Sequence, residues 1–363
     1  MAKALVVLED GSCFVGRSIG VPGRADGEVV FNTSMTGYEE MLTDPSYAGQ
    51  ILVLTYPMIG NYGVNPELQE SDRIQPCALV IRELAPYASS PWARGTLEEL
   101  LRERGVVAVD QVDTRSLTRR IRAHGVMLGT VTTDETYEEA LARVRQLPSY
   151  ESTNWVATVT TREPFDWLPP EEPPLRVALV DGGVKRNIMR LLRARGCAVR
   201  VFPAETPAEE LLAWGPDGIV FSPGPGDPEL LDVTVAEARK LIGRVPIFGI
   251  CLGHQVIGRA LGAGTFKLPF GHRGGNHPVK ELATGRVTIT AQNHGYAVDP
   301  DGLDASAYVS HINLNDGTVE GLAMRTEPVI TIQYHSEACP GPLDNTSMFD
   351  RFVSLMEEAG GPR

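Results

Sequence analysis

The stretch Pro246-Ile-Phe-Gly-Ile-Cys251-Leu-Gly-His-Gln255 decides how this chain is read. Residues 245–250 form an apolar, β-branched run with the length of a buried strand. Gly249, Cys251 and Gly253 follow, and then a helix-like segment through Ala260. A cysteine between two near glycines at a strand-to-helix turn has the layout of a nucleophile elbow. The glycines permit a tight backbone that raises the thiol at the end of a sheet. The helix that follows directs its amide dipoles at the sulfur, which favours thiolate over thiol. Taken alone, the stretch fits a buried structural cysteine equally well, because free Cys is among the most buried residue types.

Upstream of this turn the chain alternates strand and helix. Residues 176–180 are apolar and end in Asp181-Gly-Gly, and 185–195 are amphipathic and close at Gly196. Strand patterns at 198–202 and 218–221 are separated by a helical one at 207–214, and 233–242 read as a further helix. Ser222-Pro-Gly-Pro-Gly-Asp-Pro makes a rigid loop after the 218–221 run. Parallel strands alternating with helices imply a doubly wound, mostly parallel α/β sheet with right-handed crossovers. Its active crevice belongs at the carboxyl ends of the strands, where both Cys251 and the 222–228 loop fall. Beyond Gly262 the pattern becomes strand and loop, through Phe270-Gly-His-Arg-Gly-Gly-Asn-His and Gln292-Asn-His-Gly-Tyr296. A strand at 329–334 runs into His335-Ser-Glu337, and 348–358 close the chain as an amphipathic helix.

The first 147 residues are a separate, strand-rich α/β domain. Strands are expected at 4–8, 28–31, 51–55, 78–81 and 106–109, with helices at 96–104 and 136–146. Thr96 and Glu99 form a capping box for the first of these helices. Residues 113–122 make a basic amphipathic segment with Leu117 and Ile121 on one face, read as a solvated helix or a subunit contact. Residues 32–50 are polar, aromatic and turn-rich, which suits a functional segment or a surface loop. Pro148, Pro164, Pro169, Pro170, Pro173 and Pro174 mark 148–175 as an extended linker, so the second domain is 176–363.

At 363 residues, two domains are the natural division. The formal charge of −13 argues against nucleic acid as a partner, since that needs a clustered basic face. The five cysteines, Cys13, Cys77, Cys197, Cys251 and Cys339, show no CxxC pair, so neither a disulfide framework nor a zinc site is expected. With no signal-peptide pattern and no membrane-length apolar run, a cytoplasmic location is expected.

Seven histidines offer partners for Cys251. His124 and His311 read as surface residues, and His254 as a packing residue on the helix that carries the thiol. His272, His277 and His294 fall in glycine-rich loops and would line a crevice. His335 follows a strand directly, as Cys251 does, and Glu337 is spaced to reach the far ring nitrogen. Cysteine, histidine and an orienting acid form the triad of an activated nucleophile. The expected chemistry is attack of a thiolate on an amide or ester carbonyl, then hydrolysis of the thioester. Leu252 N–H and the backbone of Gly224 or Gly226 are the candidate oxyanion donors. No GxxxxGK[ST] loop and no GxGxxG after a strand is present, so a nucleotide would have to be used by another chain.

Gly-Ile-Cys251-Leu-Gly-His-Gln255, the Pro-Gly-Pro-Gly-Asp loop and the His335-x-Glu337 end together resemble the class I, triad glutamine amidotransferases, which are flavodoxin-like. Phe-Gly-His-Arg-Gly-Gly-Asn-His-Pro-Val, Gln-Asn-His-Gly-Tyr-Ala-Val-Asp and the N-terminal segment through Ser46 resemble the small subunit of carbamoyl-phosphate synthase. This resemblance spans nearly the whole chain. It implies that Cys251 is the nucleophile, His335 the general base and acid, and Glu337 its orienting partner. It implies glutamine contacts at Ser46, Gly224, Gly226, Leu252, Gln255, Asn293, Gly295 and Tyr296. It implies no metal or cofactor in this chain, with ATP and Mg²⁺ on a large partner subunit. That subunit would receive ammonia through a tunnel and make carbamoyl phosphate from bicarbonate for arginine and pyrimidine synthesis.

Three positions depart from the family pattern. Ser336 stands where proline is usual, Pro223 where asparagine is common, and Gly182 where phenylalanine is usual. Two other readings compete: a stand-alone cysteine amidase or peptidase, and a scaffold whose triad Ser336 has misaligned. Residues 113–124 and the 270–277 loop are the candidate docking segments.

Overall fold

The computed structural model describes residues 2–167 and 175–360. The chain divides into two compact units, one ending at Thr153 and the other starting at Asn154. Of the expected linker, 168–174, with Pro169, Pro170, Pro173 and Pro174, lie outside the described residues.

The first unit is a closed barrel of seven strands. Around the barrel they run Lys3–Leu8, Cys13–Ser18, Val107–Asp110, Ala78–Val80, Gln50–Leu54, Arg24–Asn32 and Met127–Thr132. Closure removes the exposed edges that a sheet this rich in Val and Ile would otherwise present. Sequence reading finds five of these strands and misses Cys13–Ser18 and Met127–Thr132. The first of those is mostly half-exposed and carries little apolar patterning. Helix Leu97–Glu103 has the Thr96/Glu99 capping box, and Tyr137–Val144 has a second at Thr136/Glu139. Helix Thr114–His124 starts at Asp113, which accepts from the Ser116 amide, and buries Leu117 and Ile121 completely.

Residues 148–167, expected to be extended, are structured. A 3₁₀ turn at Tyr150–Ser152 belongs to the first unit, and a short helix at Val156–Val159 to the second. Strand Phe165–Trp167 pairs antiparallel with Cys197–Pro203 as an edge of the main sheet. Proline density at 148–174 hides this, although Phe165 and Trp167 alternate as an edge strand would.

The second unit is built on a ten-stranded sheet. Its centre is five parallel strands in the order Cys197–Pro203, Leu175–Asp181, Gly218–Phe221, Ile247–Ile250 and Val329–Ile332. Alternate residues of these strands point to opposite faces. Val177, Leu179, Val220, Phe248 and Ile250 pack with helices Arg186–Ala194 and Ser347–Gly360 on one side. Ala178, Val180, Ile219, Phe221 and Ile247 pack with Ala208–Ala213, Asp232–Leu241 and Leu252–Ala260 on the other. Two apolar layers around a parallel core are the doubly wound arrangement.

Beyond Val329–Ile332 the sheet continues antiparallel through Val319–Met324, Ala307–Asn313, Gly264–Glu281 and Val287–Asp299. The glycine-rich 270–277 segment, expected as a loop, lies inside the eighteen-residue strand Gly264–Glu281. His272 and Arg273 are buried there. Gly271, at φ 68°, and Gly274, at φ 158°, accompany the register shifts that bend this long hairpin. Among the described residues no helix is long and apolar enough to cross a membrane.

Candidate active site

Cys251 leaves the Ile247–Ile250 strand with φ 52° and ψ −106°, a conformation strained for any residue that carries a side chain. Helix Leu252–Ala260 starts at the next residue. The flanking glycines are required by contact as well as by dihedral. A Cβ on Gly253 would stand 2.1 Å from the Phe221 carbonyl oxygen, and one on Gly249 2.7 Å from that of Gly253. Gly253 N–H donates to the Ser222 carbonyl at 3.1 Å, which locks the helix start to the neighbouring strand end. The amides of the first turn have no intrahelical acceptor, and Leu252, the first helical residue, follows the sulfur-bearing residue directly.

His335 and Glu337 sit at the end of the adjacent parallel strand. His335 Nδ1 is 2.6 Å from Glu337 Oε1, so Ser336 between them does not open the contact. Glu337 Oε1 also lies 3.1 Å from Lys185 Nζ. Lys185 Nζ donates to the Ala338 carbonyl at 2.6 Å, and Asn187 Nδ2 to the Glu337 carbonyl at 2.5 Å. All three ionisable groups are buried, with exposures of 3% for His335, 0% for Glu337 and 2% for Lys185.

Burial opposes charge on the His335 ring. The Glu337 carboxylate, followed by Cys251, outweighs it and pushes the imidazole pKa up to about 10. Burial likewise opposes charge on Glu337, and Lys185, then His335, outweigh it and hold the carboxyl down at about 2. His335 Nε2 makes no hydrogen bond within ordinary limits among the described residues, and Cys251 is, after Glu337, the second group acting on the ring.

The thiol has two further neighbours. Its Sγ lies 3.8 Å from the Asn293 carbonyl, which accepts, and 3.6 Å from Gln333 Nε2, which donates. Gln333 Oε1 accepts from Gln255 Nε2 at 3.1 Å, and that same amide donates to the Tyr296 carbonyl at 2.9 Å. Leu252, Gln255, Asn293 and Tyr296 are thereby brought together around Cys251. Gly295 follows Asn293 in the same strand, with its α-carbon facing the Arg273 guanidinium.

Gly224 and Gly226 differ in what they approach. A Cβ on Gly224 would meet the Gly182 carbonyl oxygen at 2.1 Å and Leu252 Cδ2 at 2.7 Å. Gly226, at φ 93°, faces Trp155 instead. Gly224 is therefore the glycine packed against the Leu252 side chain. Gly182 backs this loop: its N–H donates to Ser222 Oγ at 2.9 Å, and that hydroxyl donates to the Pro223 carbonyl at 2.8 Å. Ser46 lies in the first unit, buried in the turn Pro45–Tyr47, with its amide donating to Asp44 Oδ1 at 2.9 Å.

Sequence reading misses Lys185, Asn187 and Gln333. Lys185 is the residue just before an amphipathic helix, where a lysine is ordinarily solvated, and nothing local marks it as fully buried. Gln333 does carry a spacing signal: it stands two residues before His335, and an extended chain puts positions i and i+2 on one side. His254 packs as expected, with Nδ1 2.8 Å from Thr331 Oγ1, and burial lowers its pKa to about 3. His311, expected at the surface, is buried beside Ser310 because the sheet extends over it. His272, His277 and His294 lie on paired strands rather than in loops.

A nucleophile held in this way, on a parallel sheet between two helix layers, is the arrangement of the class I glutamine amidotransferases. Residues 178–355 match the family "Glutamine amidotransferase class-I". Residues 6–131 match "Carbamoyl-phosphate synthase small chain, CPSase domain". The chain belongs to the carbamoyl-phosphate synthase small-chain family. It is 51% identical to the carbamoyl phosphate synthase small chain of Akkermansia muciniphila, covering 98% of this chain and 97% of that one. It is 46% identical to that of Syntrophotalea carbinolica, with 98% of each chain covered. It is 48% identical to that of Methanopyrus kandleri, with 98% and 99% covered.

Proposed function

We propose that this chain hydrolyses glutamine and passes the ammonia to a large synthetase subunit, which makes carbamoyl phosphate from bicarbonate and ATP. The observation that carries this reading is the buried Lys185–Glu337–His335 series ending at a strained Cys251. The Cys251 thiolate adds to the side-chain amide carbon of glutamine, and the oxyanion that develops is met by the Leu252 and Gly224 amides. The C–N bond breaks as the nitrogen takes a proton from His335, ammonia leaves, and a thioester remains. His335 then takes a proton from water, the hydroxide adds to the thioester, and Cys251 departs as thiolate to give glutamate. Glu337 holds the ring with Nδ1 occupied and stabilises it when charged.

Gly226, Gln255, Asn293, Gly295 and Tyr296 complete the glutamine site in this reading. The chemistry calls for no cofactor in this chain, and ATP and Mg²⁺ act on the partner, in a heterodimer or larger assembly. The product serves arginine and pyrimidine synthesis in the cytoplasm. The test is co-purification with a large ATP-binding chain and a glutaminase assay with and without it. Stimulation by the partner and selectivity for glutamine are expected. Full activity alone on other amides would favour a stand-alone amidase, and no activity in either state a silent scaffold.

A further inference from the structure

Behind the 293–296 segment, the antiparallel part of the sheet buries a set of ligand-type side chains that the glutaminase reading does not use. His272 and His294 are directly paired across the hairpin, with ring centroids 4.9 Å apart and planes at 80°. One nitrogen of each ring is already committed. His272 Nε2 is 2.8 Å from Asp316 Oδ2, and His294 Nδ1 is 2.8 Å from the Tyr296 carbonyl oxygen. The other nitrogens are not conventionally satisfied. Among the described residues, His272 Nδ1 is buried without a hydrogen-bond partner, and it lies 3.8 Å from Glu320 Oε1. His294 Nε2 faces Gln292 Oε1 at 2.9 Å.

That last contact is the informative one. If Nδ1 of His294 carries the proton given to the Tyr296 carbonyl, Nε2 presents a lone pair to an oxygen that can only accept. Rotating the Gln292 amide offers no relief. Its nitrogen now donates to both Glu320 oxygens, at 3.0 and 2.9 Å, and rotation would set oxygen against carboxylate. A second proton on His294 would place charge on a ring that is 6% exposed and packed edge-on against His272. A buried lone pair facing another acceptor calls for a cation.

The donor set fits one. Ligand atoms from His272, His294 and Glu320 all lie within 4.8 Å of one another. Glu320 is fully buried and further fixed by Asn313 Nδ2, which donates to Oε1 at 2.7 Å. Histidines that bind metal characteristically give their other nitrogen to a carboxylate or a backbone carbonyl, as His272 and His294 do here. We propose that His272 Nδ1, His294 Nε2, Glu320 and Gln292 Oε1 bind one divalent transition-metal ion of the zinc class. Metal–ligand bonds of about 2.0–2.2 Å place tetrahedral neighbours roughly 3.3–3.6 Å apart, so from within 4.8 Å the ligand atoms close on one another by at most about 1.5 Å. The ion would pin the strand that carries Asn293, Gly295 and Tyr296, and it takes no part in the bond-breaking steps. The site stands independently of the glutaminase reading.

The test uses the full chain in a Cys251→Ser background, so that the reactive thiol cannot bind the metal. After chelator treatment and dialysis, Zn²⁺ titration by calorimetry should show one equivalent per chain and a raised melting temperature. Co²⁺ substitution should give the visible absorption of a tetrahedral nitrogen–oxygen site. Glu320→Gln and His272→Gln, close in volume to the native residues, should weaken binding by roughly a hundredfold or more, and Asp316→Asn by about 10–100-fold. No stoichiometric binding and no thermal shift would overturn the proposal. So would binding unchanged in all three variants, or a proton resonance showing His294 doubly protonated at neutral pH.

Discussion

Lys185 Nζ lies 3.1 Å from Glu337 Oε1, and both side chains are buried in the second unit. This ion pair sets the charge state of the site from behind. A carboxylate buried beside His335 alone would carry a large desolvation penalty, which a second cation offsets. Lys185→Met should therefore destabilise the chain by about 3–5 kcal/mol, because Glu337 is left with one cationic partner. The Lys185→Met, Glu337→Gln double variant should recover part of that loss, as read in urea unfolding. Strict additivity of the two single effects would show that the residues are not coupled.

The same electrostatics make a pH prediction with a defined sign. The His335 pKa is raised above its usual 6.5 to about 10, so its contribution to stability is complete below pH 6.5 and is lost as pH rises towards 10. The Glu337 pKa is lowered from 4.5 to about 2, so its contribution is complete above pH 4.5 and is lost as pH falls towards 2. The stability difference between the native chain and His335→Gln should be largest near about pH 5.5 and shrink steadily above neutrality. A difference that does not change between those limits would show that His335 is not held charged in the folded chain.

Gly253 is the sharpest steric constraint at the elbow. With a Cβ 2.1 Å from the Phe221 carbonyl oxygen, Gly253→Ala must move either the helix start or the strand end. Glutaminase activity should fall by roughly a hundredfold through misplacement of the thiol. Stability should fall by about 1–3 kcal/mol. Gly264→Ala, whose new methyl would meet only Asp299 Cβ at 3.6 Å, is the tolerated control. Full activity in Gly253→Ala would show that the turn relaxes without cost.

Ser336 has a buried hydroxyl with no hydrogen-bond partner among the described residues. Removing it in Ser336→Ala should stabilise the chain by about 1 kcal/mol and leave glutaminase activity within about twofold, since the His335–Glu337 contact does not pass through it. A lower melting temperature in this variant would indicate that the hydroxyl is satisfied in solution.

The doubly wound half was legible because parallel, doubly covered strands leave continuous apolar runs, and Leu175–Asp181, Gly218–Phe221 and Ile247–Ile250 are such runs. Cys251, His335 and Glu337 were legible because each falls at or just beyond the carboxyl end of one of these central strands. The 270–277 part of strand Gly264–Glu281 reads as glycine-rich loop because Gly271, Gly274 and Gly275 interrupt its pattern, and its burial is supplied by partners far along the chain. Lys185 was illegible for a related reason. Its partner, Glu337, is brought to it by tertiary packing, and a buried lysine carries no local sequence mark.

In the proposed reaction Cys251 generates the ammonia and a partner consumes it. The most direct measurement is carbamoyl phosphate formation by the assembled complex carrying Cys251→Ser, with glutamine and with ammonium as alternative nitrogen sources. Glutamine-dependent synthesis should disappear while ammonium-dependent synthesis persists at close to the native rate. Loss of both activities together, or retention of the glutamine-dependent one, would show that Cys251 is not the source of the ammonia.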